Sequence, residues 1–426
     1  MKKQWLGIIL LLFAGALSAR ELPADPETLG FSADRLDRID AAVERALETG
    51  QVAGAVVLVQ RRGELAYLKA FGQADLAAGR AMRSDDIFRI ASMTKAITAT
   101  GVMILFEDGH FLLDDPVGNY LPEFDREMQI AKPTEDGYEL VPAETAITIR
   151  HLLTHTSGIS YRFMNTGPVG ELYIDNDISD GLAGETETLA EFMPRLASLP
   201  ILHEPGERVS YGLNIDVLGR LIEVVTGQSL DAFFRERIFT PLDMRDTYFE
   251  LPEAKVARMA AVHRLDEDGA LEVVPPGVID DGPTRYAVDY PYDGVRGFLS
   301  GGGGLSSTAQ DYSRFLQMIL NGGTLDGERL LGRKTVELMT SDQSARMGLA
   351  EAGTPGFALA FGHDGGPSAT GQIGSPGRLF WGGFFNSDYF IDPEEELVAV
   401  LMTQHYPYGV ELLARYRVAV YQAIND

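Results

Sequence analysis

The chain has no cysteine, only two tryptophans in 426 residues, and far fewer basic than acidic side chains, 36 against 62. Without cysteine there is no disulfide framework and no thiol for a lipid anchor. A formal charge of −26 has the wrong sign for a nucleic-acid or anionic-membrane binder. The acidic excess is spread along the chain and not gathered in a tail, so it reads as solubility. There is no internal repeat, no low-complexity tract and no apolar run long enough to span a bilayer comfortably. What remains is an ordinary globular composition, 45% hydrophobic and 23% charged, with length for a large core.

The first 19 residues read as a signal peptide. Lys2 and Lys3 give a basic start, residues 6–13 a short apolar core, and Ala14-Gly15-Ala16-Leu17-Ser18-Ala19 the small residues before a cut after Ala19. The expectation is an exported, periplasmic protein with no stable membrane insertion once the leader is removed.

Ser92-Met93-Thr94-Lys95 stands just ahead of the mostly apolar run 96–106. On a helix, residues three apart share a face, so the hydroxyl and the amine come within reach of each other. Serine is a poor nucleophile without a neighbouring base, and a lysine amine serves when burial or another cation favours its neutral form. If Ser92 opens the helix, backbone N–H groups and the positive end of the dipole also face its oxygen. A plain serine cap with a surface lysine gives the same spacing. However, the chain has few lysines, and no other serine has a lysine three residues on.

Helical pattern covers residues 33–48, and strand-like runs follow at 53–61 and 65–71, with Arg62-Gly63 as a hairpin turn. The middle, roughly 110–290, mixes short helices (217–227 and 230–238) with Pro- and Gly-rich loops, and 266–291 reads as loop. Gly301-Gly302-Gly303-Gly304 precedes a helix at 308–320. Strand character returns at 356–361, 378–382, 389–391 and 397–403, and a helix at 410–424 ends the chain. Strands at both ends with helices between them predict an α+β fold. One antiparallel sheet is built from the two chain ends (about 20–110 and 295–426), and a mostly helical part (about 111–294) is inserted. A cleft between the parts is the natural site.

A Ser-His-Asp hydrolase of the α/β type needs Gly-x-Ser-x-Gly, and no serine here has that setting. Several stretches instead resemble the serine β-lactamase and penicillin-binding-protein superfamily, in particular class C β-lactamases and the related family VIII carboxylesterases. They are 88–95, Ile147-Thr148-Ile149-Arg150-His151-Leu152-Leu153-Thr154-His155-Thr156-Ser157-Gly158, Glu204-Pro205-Gly206, 211–219, 300–307 and 330–340. The resemblance covers about 25–425. It implies an α/β domain plus a helical domain, and acyl transfer through an ester on Ser92.

The family's second element, Tyr-x-Asn, resembles Tyr211-Gly212-Leu213. An ammonium nearby favours a phenolate, so the resemblance makes Tyr211 the group that takes or relays the Ser92 proton. Leu213 stands where β-lactamases have an asparagine, and Asn214 is one residue out of register. The third element, Lys-Thr-Gly in β-lactamases, resembles Trp381-Gly382-Gly383. Small residues let backbone approach a bound acyl group, and the N–H of Phe384 would complete an oxyanion hole with that of Ser92. Tryptophan cannot hold a penicillin carboxylate as a lysine does, but offers an apolar wall. An alternative alignment places this element at His363-Asp364-Gly365-Gly366, whose flanks read as loop.

His151 and His155 are four apart but lack the intervening glutamate of a zinc protease, and the glycines 301–304 lack the Lys-Ser/Thr of a phosphate loop. No metal or cofactor is expected. The reading is an exported serine hydrolase for short-acyl esters, with a small-molecule ester or amide as its partner. The alternative is a β-lactamase or D-amino-acid peptidase. Intact Ser92, Lys95 and Tyr211 argue against a non-catalytic binding protein.

Overall fold

The computed structural model describes residues 23–164, 167–183, 186–291, 297–350 and 353–426. The expected leader lies outside them. Eight strands form one antiparallel sheet: β1 (Gly54–Arg61), β2 (Glu64–Asp75), β3 (Arg80–Ala81), β4 (Gly356–Phe357), β5 (Gly362–Asp364), β6 (Arg378–Gly382), β7 (Asp388–Asp392) and β8 (Leu397–Met402). Their order is β4-β5-β6-β7-β8-β1-β2-β3. The N-terminal hairpin therefore joins the C-terminal strands through β1 and β8, in register from Val56↔Met402 to Arg61↔Leu397. The hairpin turns at Arg62 and Gly63, both with positive φ (56° and 79°), as a two-residue turn between right-twisted strands requires.

Every residue of β1 is buried, because both faces of the sheet are covered. Ala55, Val57 and Val59 pack with α1 (Arg38–Glu48) and α5 (Leu412–Tyr421), while Val56 and Leu58 belong to the larger core on the opposite face. That core holds α2 (Thr94–Glu107), α3 (Asn214–Thr226) and α4 (Ala309–Leu320). From Thr94 to Leu105, α2 is buried all round, which accounts for its apolar sequence without an amphipathic stripe.

Four expectations are corrected. Residues 266–291 are not simply loop: Leu271–Val273 pairs with His263–Leu265, and Val278–Asp281 pairs with Thr284–Ala287. The Pro- and Gly-rich composition there supplies tight turns between short strands. The strand expected at 356–361 ends at Phe357, where the chain turns through Ala360 at φ 63°. The segment at His363, read as loop, is strand β5, paired with β6 through His363↔Leu379. Ser92 does not open an α-helix directly: it sits in a 3-10 turn, Ala91–Met93, that runs straight into α2 at Thr94.

Asp364 on β5 meets Arg378 on β6 in an ion pair with both side chains essentially solvent-free. Asp364 Oδ1 also accepts from the Gly366 N–H (2.8 Å) and the Thr370 hydroxyl (2.9 Å). Removing one partner strands the other charge inside. Asp364→Ala is expected to destabilise the protein by about 3–5 kcal/mol in urea denaturation, and replacing both partners with apolar residues is expected to recover most of that loss.

Candidate active site

The segment carrying Ser92 is fixed before the side chains meet. Phe88–Arg89 pairs with Ser306–Ser307, and the Ile90 N–H donates to Leu305 O (3.0 Å). Ala91 takes a positive φ of 42°, rare for a residue with a Cβ, in a fully buried position. Beyond it, the Tyr312 hydroxyl donates to Met93 O (2.8 Å), and the Leu305 N–H donates to Thr94 Oγ1 (3.2 Å). The turn is thus held from both sides by residues some two hundred positions later.

Lys95 is 1% exposed. Its Nζ donates to Ser92 Oγ (3.1 Å), Tyr161 OH (2.9 Å) and Gly302 O (2.7 Å). An ammonium has three N–H donors, and each has an acceptor here. Tyr211 OH donates to Ser92 Oγ (2.7 Å) and accepts from Trp381 Nε1 (3.4 Å). The Lys95 nitrogen also lies 4.6 Å from the centre of the Tyr211 ring and 5.2 Å from that of Tyr161, within cation–π range. The structure thus brings Ser92, Lys95, Tyr211 and Trp381 into one hydrogen-bonded group.

Trp381, Gly382, Gly383 and Phe384 line a cavity of about 650 Å³ that also contains Ser92 and Tyr211. The strand approaches closely. A Cβ on Gly383 would lie 2.6 Å from Ile90 O, two residues before Ser92, so only glycine fits there. The loop after β6 is tight, with the Gly383 N–H donating to Ser387 O (2.7 Å) and the Asn386 N–H to Gly383 O (2.9 Å). Asn386 is braced in turn: its Nδ2 donates to His405 O and Pro407 O, each at 2.9 Å. His363 and Asp364, the alternative alignment, are not among the residues lining this cavity.

Phe163, Met164, Phe380 and Tyr408 supply most of the remaining wall, and an ion pair, Asp388–Arg417 (2.6 Å), closes one end. Phe163 stacks on Tyr161 (5.0 Å between centroids) and meets Phe384 edge-on (6.0 Å).

Two residues of the group escaped the sequence reading. Tyr161 follows Gly158 by three and accepts from Lys95. Burial, then the charge of Asp216, pushes its phenol well above the ordinary value, so it stays neutral. Asp216, fully buried, accepts from the Ser300 hydroxyl (2.6 Å) and the Gly302 N–H (3.2 Å). Desolvation raises its carboxyl above the usual range. A carboxylate between Ile215 and Val217, on a helix starting three residues after Tyr211, was the signal available. Gly302 joins them, since a Cβ there would lie 2.5 Å from Asp216 Oδ2 and 3.0 Å from Tyr161 OH.

The remaining motif residues lie apart from the cavity. Leu213 is buried in the large core. His151 serves the capping box of Ile149–Leu153, and His155 Nδ1 meets Asn214 Nδ2 at 2.9 Å. Among the described residues, no group of three or more His, Asp or Glu is placed to hold a metal ion, and no described helix is long and apolar enough to cross a membrane.

Three comparisons show what the chain is similar to. The family model described as "Beta-lactamase" matches residues 39–423. Esterase EstB of Burkholderia gladioli is 35% identical over 392 residues, covering 89% of this chain and 93% of that protein. Among solved structures, EstCE1, titled a hydrolase with promiscuous acyltransferase activity, superposes with a TM-score of 0.78 at 27% identity, over 91% of this chain and 99% of its own. Simvastatin synthase LovD from Aspergillus terreus gives a TM-score of 0.74 at 26% identity, over 92% and 98%. The chain belongs to the beta-lactamase family and is a serine hydrolase of that fold.

Proposed function

We propose that this protein is a carboxylesterase that hydrolyses short-acyl esters through an acyl-enzyme on Ser92. The observation that carries the reading is the wall beside Ser92. Trp381 stands where lactam-binding relatives have a cation, and the cation that does line the cavity, Arg417, is tied to Asp388. Phe163, Met164, Phe380, Trp381 and Phe384 make the lining mostly aromatic and apolar, which suits an uncharged ester.

The steps follow from the contacts. In the reacting form Tyr211 is the phenolate beside the Lys95 ammonium and the Ser92 hydroxyl donates to it; Ser92 Oγ attacks the ester carbonyl carbon as that proton passes to the Tyr211 oxygen. The N–H groups of Ser92 and Phe384 hold the oxygen that gains charge. Removing one such donor typically costs about 10²–10³ in rate. The C–O bond then breaks, the alcohol leaves with the proton returned through Tyr211, and water repeats the sequence to release the acid. Lys95 keeps the pair in place, with its other two N–H groups on Tyr161 and Gly302. Esterase EstB supports the ester reading. The apolar walls and the promiscuous acyltransferase activity of EstCE1 support a second one, an alcohol replacing water as acyl acceptor. The protein is further proposed to act after export, with a mature N-terminus following Ala19, which intact mass of the secreted form checks.

A fluorophosphonate probe is expected to label the wild type and not Ser92→Ala. In a panel of p-nitrophenyl esters, a chromogenic cephalosporin and D-alanyl peptides, short esters are expected to react fastest; a cephalosporin rate rivalling theirs overturns the esterase reading. Gly302→Ala pushes Asp216 and Tyr161 apart around Lys95. It is expected to lower kcat about 10²-fold or more and destabilise the fold by about 1–3 kcal/mol, read by ester kinetics and thermal unfolding.

A further inference from the structure

Asn214, one position past the family triplet, is fully buried at the first turn of α3. Its amide orientation is set by its surroundings. Oδ1 accepts from the Ser157 hydroxyl (2.5 Å), while Nδ2 faces Ile159 O (3.2 Å), Ser210 O (3.3 Å) and His155 Nδ1 (2.9 Å). The reverse orientation would set the amide oxygen against two carbonyls, so Nδ2 is the donor and His155 Nδ1 accepts. The imidazole proton therefore sits on Nε2, and Nδ1 has no room for another.

His155 is an odd residue for a packing role. It is completely buried, holds a positive φ of 55°, and its Nε2 has no hydrogen-bond partner among the described residues. Phe or Leu would fill such a space without an orphaned N–H. What the ring touches is Tyr211, centroid to centroid 4.8 Å, with Phe357 on another side at 5.5 Å. Its backbone carbonyl accepts from the Ser210 N–H (2.6 Å), and Asn214 takes the Ser210 carbonyl. His155 and Asn214 thus bracket both backbone polar groups of the residue before Tyr211.

We propose that His155 is a positioning residue for Tyr211: an imidazole that Asn214 locks in its neutral form, holding the phenol on Ser92 and keeping a second positive charge out of the proton relay. The inference rests on Tyr211 carrying the Ser92 proton. Starting from the Tyr211 phenolate, the Ser92 proton moves to the Tyr211 oxygen as the Oγ–carbon bond forms, and it leaves on the departing alcohol as the C–O bond breaks. An imidazolium under the ring would stabilise the phenolate and weaken its pull on the serine proton. Lys95 on α2 is the charged group acting on His155. The rings of Tyr211 and Phe357 face it, and His151 on its own segment is engaged in the cap. Burial first, and Lys95 second, hold the imidazole well below its ordinary value.

Asn214→Asp tests this, because a carboxylate facing Nδ1 lets His155 take a proton. With p-nitrophenyl acetate, kcat is expected to fall about tenfold or more near pH 6 and to return within about threefold of wild type near pH 9, with KM changed less than about twofold. In Asn214→Asp/His155→Gln, that pH dependence is expected to vanish. A profile of wild-type shape in Asn214→Asp, whether the rates hold or fall evenly, overturns the proposal. Imidazole ¹⁵N NMR of the wild type decides the matter without a variant. The expected result is one neutral tautomer, protonated on Nε2, from about pH 5.5 to 9; a titration midpoint in that range, or a proton on Nδ1, overturns it. Tyr211→Phe separates the two claims: near-wild-type turnover removes the role of Tyr211 and this inference with it, whereas an inactive variant beside a flat Asn214→Asp profile removes the inference alone.

Discussion

A lysine ammonium with 1% exposure is the constraint on which the rest of the site depends. A buried ammonium is tolerated only where its donors are met. The three acceptors, at positions 92, 161 and 302, come from three separate regions of the chain. Satisfying Lys95 therefore forces the Ser92 turn, the loop after Gly158 and the glycine run before α4 to one point. The buried helix α2 delivers the nitrogen there, and the acidic floor at Asp216 lies behind Gly302 on the same side.

The same point explains the glycines. Gly302 lends its carbonyl to Lys95 and leaves space for Asp216 and Tyr161, while Gly383 lets β6 lie against the backbone at Ile90. From sequence, the run 301–304 was marked only by lacking the Lys-Ser/Thr of a phosphate loop. In the structure it is a contact surface, with backbone used because a side chain would displace the groups it serves.

The sheet was legible because continuous apolar runs at both chain ends had to find partners, and β1 with β8 is the pairing that buries both. Ser92 and Lys95 were singled out by spacing, and the family pattern told them from a plain serine cap with a surface lysine. Tyr211 and Trp381 needed the family pattern, since neither is marked locally. Tyr161 and Asp216 were missed because their meaning is non-local: a tyrosine in a loop and a carboxylate in an apolar helix become related only through Lys95. Short elements such as β5 and the hairpins within 263–287 were misread for a similar reason. Their pairing partners, not their own composition, make them strands.

The groups packed around Tyr211 share a pattern of charge. Trp381 contributes a neutral N–H to its oxygen, Tyr161 remains a neutral phenol against its edge, and His155 lies beneath it with Nδ1 already occupied. Positive charge reaches the ring from Lys95. On the strand beside Tyr211 stands an indole, Trp381, and not a cation. The indole offers no positive partner to a substrate carboxylate, and it leaves Lys95 as the cation against the Tyr211 ring. The charge against that ring stays that of Lys95 only while neighbouring titratable groups stay neutral. That requirement gives the Asn214–His155 contact a reason to persist in a core where an apolar pair would pack with fewer unmet polar atoms.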